Sequence, residues 1–254
     1  MQEYQIVIGI LAGGDRKIYT KFFDLHRKNA EKYKNKIKIF FLVGKKEIDD
    51  IDQPDMLYNT EPDDNLDIDI TSNTIQFYKY VLDNYKFKWC LRTSLSTLIN
   101  YEMLLKKYTY GIMNTIDGPR IDDSKFLSGT FMIMSKDIVE FLYKNELLIK
   151  DKIKTERFGE DLFSSMFLFK NKEGVMSKNL NRIDFINYKN IHIKNIVNYH
   201  HCHSDCNNIF IFRFKTLDRE QDFKNMSELL SNNFDYINLI IKLNWEIVEQ
   251  SPFY

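Results

Sequence analysis

Two short runs of β-branched and aromatic residues constrain this chain more than anything else in it: Tyr4–Leu11 (YQIVIGIL) and Ile37–Val43 (IKIFFLV). Each reads as a buried strand, because each is short, apolar and closed by glycine or small residues. Ala12-Gly13-Gly14-Asp15 breaks the first run. From Arg16 to Tyr33 the apolar residues Ile18, Phe22, Leu25 and Tyr33 recur at helical spacing, with charges between them. Strand, glycine break, helix and strand make a βαβ unit, whose sheet is expected to be parallel.

The alternation continues along the chain. A polar, acidic stretch from Lys45 to Asp69 holds a short strand at Met56–Tyr58. Ile75, Tyr78, Val81, Leu82 and Tyr85 then mark an amphipathic helix starting at Thr71, with Thr71 or Ser72 as its cap. Further strands are expected at Lys88–Thr93, Tyr110–Thr115, Phe131–Met134, Ile183–Tyr188 and Ile209–Phe214. Helices are expected at Tyr101–Tyr108, at Asp137–Leu148, from Gly159, at Arg219–Leu230 and at Phe234–Val248. No repeat, low-complexity tract or linker interrupts the pattern. The expectation is a single α/β domain over 1–254, with a Rossmann-type, mostly parallel sheet flanked by helices and a C-terminal helical extension.

Composition narrows the function. With 254 residues, 44% of them hydrophobic, the chain can bury a large core. Its 36 basic and 36 acidic residues cancel, which argues against a nucleic-acid partner. Three cysteines make no disulfide framework, the first residues lack the pattern of a signal peptide, and no apolar run is long enough for a transmembrane segment. A cytoplasmic protein is expected. The basic residues are 28 Lys and only 8 Arg, and Ile and Asn are abundant, as an AT-rich bacterial or viral genome would produce. Each arginine therefore stands out, since its planar fork grips an oxyanion where lysine offers a point charge.

Four places could carry chemistry. Gly13, Asp15 and Arg16 form a glycine turn before a helix, a setting suited to phosphate, though without dinucleotide or P-loop spacing. Leu11-Ala12-Gly13-Gly14 is also similar to the opening of sugar-nucleotide pyrophosphorylases. Glu160 and Asp161 follow Gly159 at a helix start, where a carboxylate can cap amides or act as a general base. His200, His201, Cys202, His203 and Cys206 crowd together but lack the separated pairs of a structural zinc site, so no metal ligand is assigned. Arg213 and Lys215 alternate with Phe212 and Phe214 along a strand. This puts both charges on one face, either simply solvated or gripping a diphosphate.

In this order the pieces resemble the β-1,3-galactosyltransferase-like glycosyltransferases, which have the GT-A fold. The match runs over about residues 4–170. It is carried by Gly9-Ile10-Leu11 with Phe40-Phe41-Leu42-Val43-Gly44, Asp69 with Asn73-Thr74-Ile75-Gln76, and Lys88-Trp89-Cys90-Leu91-Arg92-Thr93. It continues through Phe126-Leu127-Ser128-Gly129-Thr130 with Met134-Ser135-Lys136-Asp137, and ends at Glu160-Asp161.

The resemblance implies an inverting hexosyltransferase that moves a sugar from a nucleotide-sugar donor, by family habit a UDP-sugar, to a glycan, protein or small-molecule acceptor. It divides the chain into a donor-binding half (1–115), an acceptor and catalytic half (116–215) and C-terminal helices (216–254). Asp161 would be the base, with Glu160 as its fallback. Gly13, Asp15, Arg16, Asp69, Arg92, Ser94, Ser96, Arg213 and Lys215 would bind the donor. Ser128, Gly129, Thr130 and His203 would line the acceptor or donor-sugar site. The family's Asp-x-Asp is replaced by Ser94-Leu95-Ser96, which cannot supply the carboxylates that hold manganese or magnesium. A divalent cation is therefore possible but not expected as cofactor, and three readings stay open: a metal-independent transferase, a sugar-nucleotide pyrophosphorylase, or a catalytically inactive nucleotide- or carbohydrate-binding protein.

Overall fold

The YQIVIGIL run forms β1 (Gln2–Leu11) and the IKIFFLV run forms β2 (Ile37–Val43), pairing in parallel with Ile8 opposite Ile39. The computed structural model describes residues 1–12, 16–44, 53–60, 66–120, 127–156, 160–186, 196–200, 209–216, 218–243 and 246–249. Between the two strands lies α1 (Arg16–Glu31). After them come β3 (Met56–Tyr58), α2 (Leu66–Asn84), β4 (Tyr85–Ser94), β5 (Thr97–Ile99), α3 (Tyr101–Lys107) and β6 (Ile116–Asp117). The chain continues with β7 (Phe131–Ser135), α4 (Lys136–Lys144), α5 (Glu146–Glu156), α6 (Glu160–Asn171), β8 (Arg182–Ile186) and β9 (Ile196–His200). It ends with β10 (Ile211–Lys215), α7 (Arg219–Ser231), α8 (Tyr236–Leu243) and β11 (Glu246–Glu249). No helix among the described residues is long and apolar enough to cross a membrane.

The elements gather into two units that interleave in sequence. One comprises Met1–Gly14, Tyr33–Ser94 and Tyr108–Asn179; the other comprises Asp15–Lys32, Leu95–Lys107 and Leu180–Tyr254. The first unit is built on a six-stranded sheet in the order β3-β2-β1-β4-β7-β6. Its first four strands are parallel, and β7 runs antiparallel to β4, with Thr93 opposite Phe131. Helices α2, α4, α5 and α6 contribute Phe77, Val81, Ile138, Leu142, Ile153 and Leu168 to one core with Val7, Phe40 and Met132 of the sheet. Close packing of α2 explains Gly9, since a Cβ there would lie 2.7 Å from the Phe77 ring.

The second unit holds a five-stranded sheet in the order β11-β9-β8-β10-β5. Phe185 and Phe214 stack on one of its faces with ring centroids 4.5 Å apart. Within this unit α1 places two buried polar side chains on the segment before and at β5. His26 Nε2 donates to the Leu95 carbonyl at 2.9 Å, and Asn29 Nδ2 donates to the Ile99 carbonyl at 2.9 Å.

Several expectations are corrected. Tyr110–Thr115 is not a strand: Tyr110, Ile112 and Met113 are exposed, Asn114 has a φ of 53°, and pairing resumes only with an isolated bridge from Thr115 to Met176, just before β6. Thr71 and Ser72 do not cap α2, which starts earlier at Leu66; the Thr71 hydroxyl instead donates back to the Asp67 carbonyl at 2.6 Å. The helix expected at Asp137–Leu148 is two helices joined at Asn145. The last expected helix stops at Leu243, and Glu246–Glu249 instead adds a strand parallel to β9.

Burial pushes the His26 imidazole down to about 4, outweighing the bond to Leu95, which favours the charged form. Its folded value lies below its unfolded value near 6.5, so the unfolded chain binds the proton first as pH falls. The stability it contributes is complete above about pH 6.5 and is lost as pH falls toward about 4. Urea unfolding at pH 7 and at pH 4.5 checks this. The native chain should lose roughly 2 kcal/mol more between these conditions than His26→Gln, which keeps a donor but cannot titrate.

Candidate functional site

β4 occupies the middle of the first sheet and brings Arg92, Thr93 and Ser94 to its carboxyl edge, where Ser94 pairs with Leu11 of β1. Because β7 is antiparallel to β4, the turn before β7 arrives at this same edge, so Ser128, Gly129 and Thr130 face the end of β4. Side chains lock the join. The buried Thr93 hydroxyl donates to the Thr130 carbonyl at 2.6 Å, the Ser128 and Thr130 hydroxyls bond each other at 2.9 Å, and the Ser128 amide donates to the Pro119 carbonyl at 2.8 Å.

Asp161 reaches this turn from the first turn of α6. The Gly129 amide donates to Asp161 Oδ2 at 2.7 Å. An ideal Cβ on Gly129 would collide with both Arg92 Nη1 and the Asp161 carboxylate, so the two ions approach the same backbone point from β4 and α6. Arg92, Ser128, Gly129, Thr130 and Asp161 thus lie together at the carboxyl edge of the first sheet. An arginine and a carboxylate, beside hydroxyls at the end of parallel strands, can orient an anion and accept a proton.

Asp69 stands on the β2–β3 side of the same unit. Buried Asn59, just after β3, donates to Asp69 Oδ1 at 2.6 Å and accepts from Gln76 Nε2 at 3.0 Å. The Asn59 amide and Asn73 Nδ2 both bond the Val43 carbonyl, at 3.1 Å and 2.9 Å. This network ties the start of α2 to the carboxyl ends of β2 and β3. Asn59 is the residue that the sequence reading missed there.

Arg213 and Lys215 lie in the second unit, as does Ser96, whose carbonyl accepts from the Phe214 amide at 2.8 Å. Across the sheet from Arg213 is Asp184, fully buried, with the Arg213 Nη1 to Asp184 Oδ2 distance 3.5 Å. Lys215 has its amine held below the ordinary lysine value, first by the Arg213 charge and then by partial burial; Asp184 acts in the opposite direction. Arg182 and Asp184 were not singled out from sequence. The signal was available: in RIDFI, two charged residues alternate with apolar ones in strand period.

Gly13, Asp15 and His203 lie outside the described residues, as do His201, Cys202 and Cys206. Arg16 is the first residue of α1 and Glu160 the first of α6, and only their backbone is described. The Ser135-Lys136-Asp137 element does not join Gly129. It sits at the other end of β7, where the Ser135 hydroxyl and the Asn114 amide both donate to Asp137, at 2.7 Å and 3.1 Å. A surface recess of about 360 Å³ opens there, lined by Phe87, Ile112, Met113 and Asp137 among others. Among the described residues no three His, Cys, Asp or Glu side chains form a group that could hold a metal ion.

No protein-family model matches the chain, and no curated protein matches its sequence. Solved structures do match. A glycosyltransferase involved in the glycosylation of the major capsid of PBCV-1 aligns over 88% of this chain and 99% of its own, with a TM-score of 0.54 and 9% identity. An active-site mutant of LgtC aligns over 87% of this chain and 95% of its own, at a TM-score of 0.49 and 11% identity. The catalytic domain of Drosophila beta1,4-galactosyltransferase 7, in complex with xylobiose, aligns over 87% and 79%, at 0.39 and 11%. The first of these establishes the fold: the chain is an α/β protein of GT-A-like architecture, with its central sheet flanked by helices.

The Gly129 geometry yields a stability prediction. Gly129→Ala should destabilise the chain by about 1–3 kcal/mol, the usual cost of forcing an extra carbon into filled space. Gly44→Ala, where nothing lies within 4 Å of the new atom, should change stability by less than about 0.5 kcal/mol. Paired urea titrations compare the two.

Proposed function

We propose that the chain is a glycosyltransferase that moves a sugar from a nucleotide-sugar donor to an acceptor hydroxyl, working as a single catalytic domain. The observation that carries this reading is the approach of Asp161 and Arg92 to Gly129 at the carboxyl edge of the parallel strands. The GT-A-like fold is consistent with it.

In this reading Asp161 accepts the proton of the acceptor hydroxyl. The freed oxygen pair attacks the anomeric carbon, the bond from that carbon to the diphosphate oxygen breaks, and the nucleoside diphosphate leaves with the electron pair. Attack opposite the leaving group inverts the anomeric centre. Holding Asp161 by the Gly129 amide fixes one carboxylate oxygen and so restrains the base in one orientation. Ser128, Gly129 and Thr130 form the wall for the sugar or acceptor, Asp69 lies toward the nucleoside, and a UDP-sugar is the proposed donor.

Developing charge on the diphosphate must be neutralised. The residues at the metal-motif position do not fit a divalent cation, because Ser94 and Ser96 offer neutral hydroxyls in place of carboxylates. Arg92 is the proposed charge partner at this edge instead.

Two assays test the reading. Asp161→Asn should lower sugar transfer by about a hundredfold to ten-thousandfold, the usual range for losing a general base, while donor affinity stays within about 1 kcal/mol. Full activity in this variant would remove the proposed base. Transfer should also persist in EDTA, and its complete loss there, reversed by manganese, would overturn the metal-free scheme. Release of free sugar and nucleoside diphosphate from the donor supports a transferase. Sugar 1-phosphate formed with pyrophosphate would indicate a pyrophosphorylase, and no turnover with retained binding an inactive relative.

A further inference from the structure

Residues 109–114 have the composition of a strand, yet they stay at the surface, at the end of the first sheet where β4 begins and β7 ends. The loop they form is pinned along its length. Lys88 Nζ donates to the Thr109 carbonyl at 3.2 Å, and buried Trp89 donates through Nε1 to the Tyr110 carbonyl at 3.0 Å. The Asn114 amide donates to Asp137 Oδ1 at 3.1 Å, and the Met176 amide donates to the Asn114 carbonyl at 2.7 Å. Held in this way, the loop exposes 78% of Tyr110 and 72% of Met113, with Ile112 and the adjoining Met176 each about half exposed. No other run of described residues exposes three large apolar side chains within four positions. A contiguous apolar patch on a monomer marks a docking surface, and a loop already fixed loses little freedom when it docks.

Beside the patch is the recess of about 360 Å³, with Phe87, Ile112 and Met113 as its apolar lining and Lys88, Lys136, Asp137 and Glu140 as its charged groups. Two lysines face two carboxylates. Lys136 Nζ lies 3.7 Å from Glu140 Oε1, and Asp137 Oδ2 also lies 3.4 Å from Lys172 Nζ, outside the lining. A rim of mixed sign gives no hold to a strongly charged partner. It is complementary to itself, because a second copy related by a half-turn can set lysine against carboxylate. The formal net charge of the chain is zero, so two copies do not repel each other. An isologous interface also needs the protruding group and its receptor on one patch. Here Tyr110 protrudes next to the recess that Ile112 and Met113 line.

We propose that this surface is a two-fold interface with a second copy of this chain, in which Tyr110 of each copy enters the recess of the other. The interface lies at the end of the first sheet opposite Gly129, so it leaves the candidate site open and does not rest on the sugar-transfer reading. A patch of this size belongs with small, reversible interfaces, and a dissociation constant of roughly 1–100 μM is expected.

Sedimentation equilibrium of the full chain, from about 1 to about 300 μM, tests it. The mass should rise from that of one chain toward that of two. Met113→Glu and Tyr110→Ser should each weaken association by about tenfold or more. Ile241→Glu, on an exposed position of α8, should leave it unchanged. All three positions are exposed, and a far-ultraviolet spectrum confirms that each variant folds. The mass of a single chain at every concentration overturns the proposal, and so does association that Met113→Glu and Tyr110→Ser leave as strong as in the native chain. Weakening by Met113→Glu alone overturns the insertion of Tyr110, and weakening by Ile241→Glu alone places the contact on α8. A chain that stays monomeric while lipid vesicles or an acceptor glycan slow amide exchange at Ile112 and Met113 has another occupant on this surface, which equally overturns a second copy. Sugar transfer by a monomeric chain removes this interface and keeps the transferase reading, whereas a dimer without transfer does the reverse.

Discussion

The antiparallel pairing of β4 with β7 is the contact on which the candidate site depends. β4 would otherwise end as an ordinary inner strand of a parallel sheet. Reversing the direction of β7 returns the chain to the carboxyl edge, so a tight turn rather than a helix faces Arg92 and Ser94. The Thr93 to Thr130 bond then fixes the turn against the strand. Once the turn is set, Gly129 presents a bare amide, and Asp161 at the start of α6 is the side chain that meets it. A side chain at position 129 would remove that arrangement, which is a physical reason for glycine there.

The two units divide the chemistry by type. In the first, one carboxylate and one arginine stand among hydroxyls, a setting suited to handling a proton and orienting a sugar. In the second, Arg182 and Asp184 form a buried ion pair on β8, with Arg213 of β10 beside it.

Much of this was legible in the residues, for identifiable reasons. Strands buried on both faces are written as continuous apolar runs, so β1 and β2 could be read to within two residues. The grouping of Arg92, Ser128–Thr130 and Asp161 came from the ordered family motifs, since nothing local links positions so far apart. Failures came where local signals conflicted. Tyr110–Thr115 has a strand's composition, but its apolar side chains are exposed and Asn114 adopts the left-handed region. Asp67 and Asp69 made the start of α2 look like a loop, although buried Ile68 marks a helical face. Arg182 and Asp184 were overlooked because a buried ion pair inside an apolar strand reads as part of the core until its partner strand is known.

The central claim is that the donor meets the first unit at the turn held by Gly129. Hydrogen–deuterium exchange of the full chain, with and without a UDP-sugar in EDTA, tests it most directly. The account predicts that donor binding slows exchange of the backbone amides between Leu127 and Phe131 and around Ser94, and leaves the recess near Ile112, Met113 and Asp137 unchanged. Protection confined to that recess, with the Ser128–Thr130 amides exchanging as in the free chain, would contradict it.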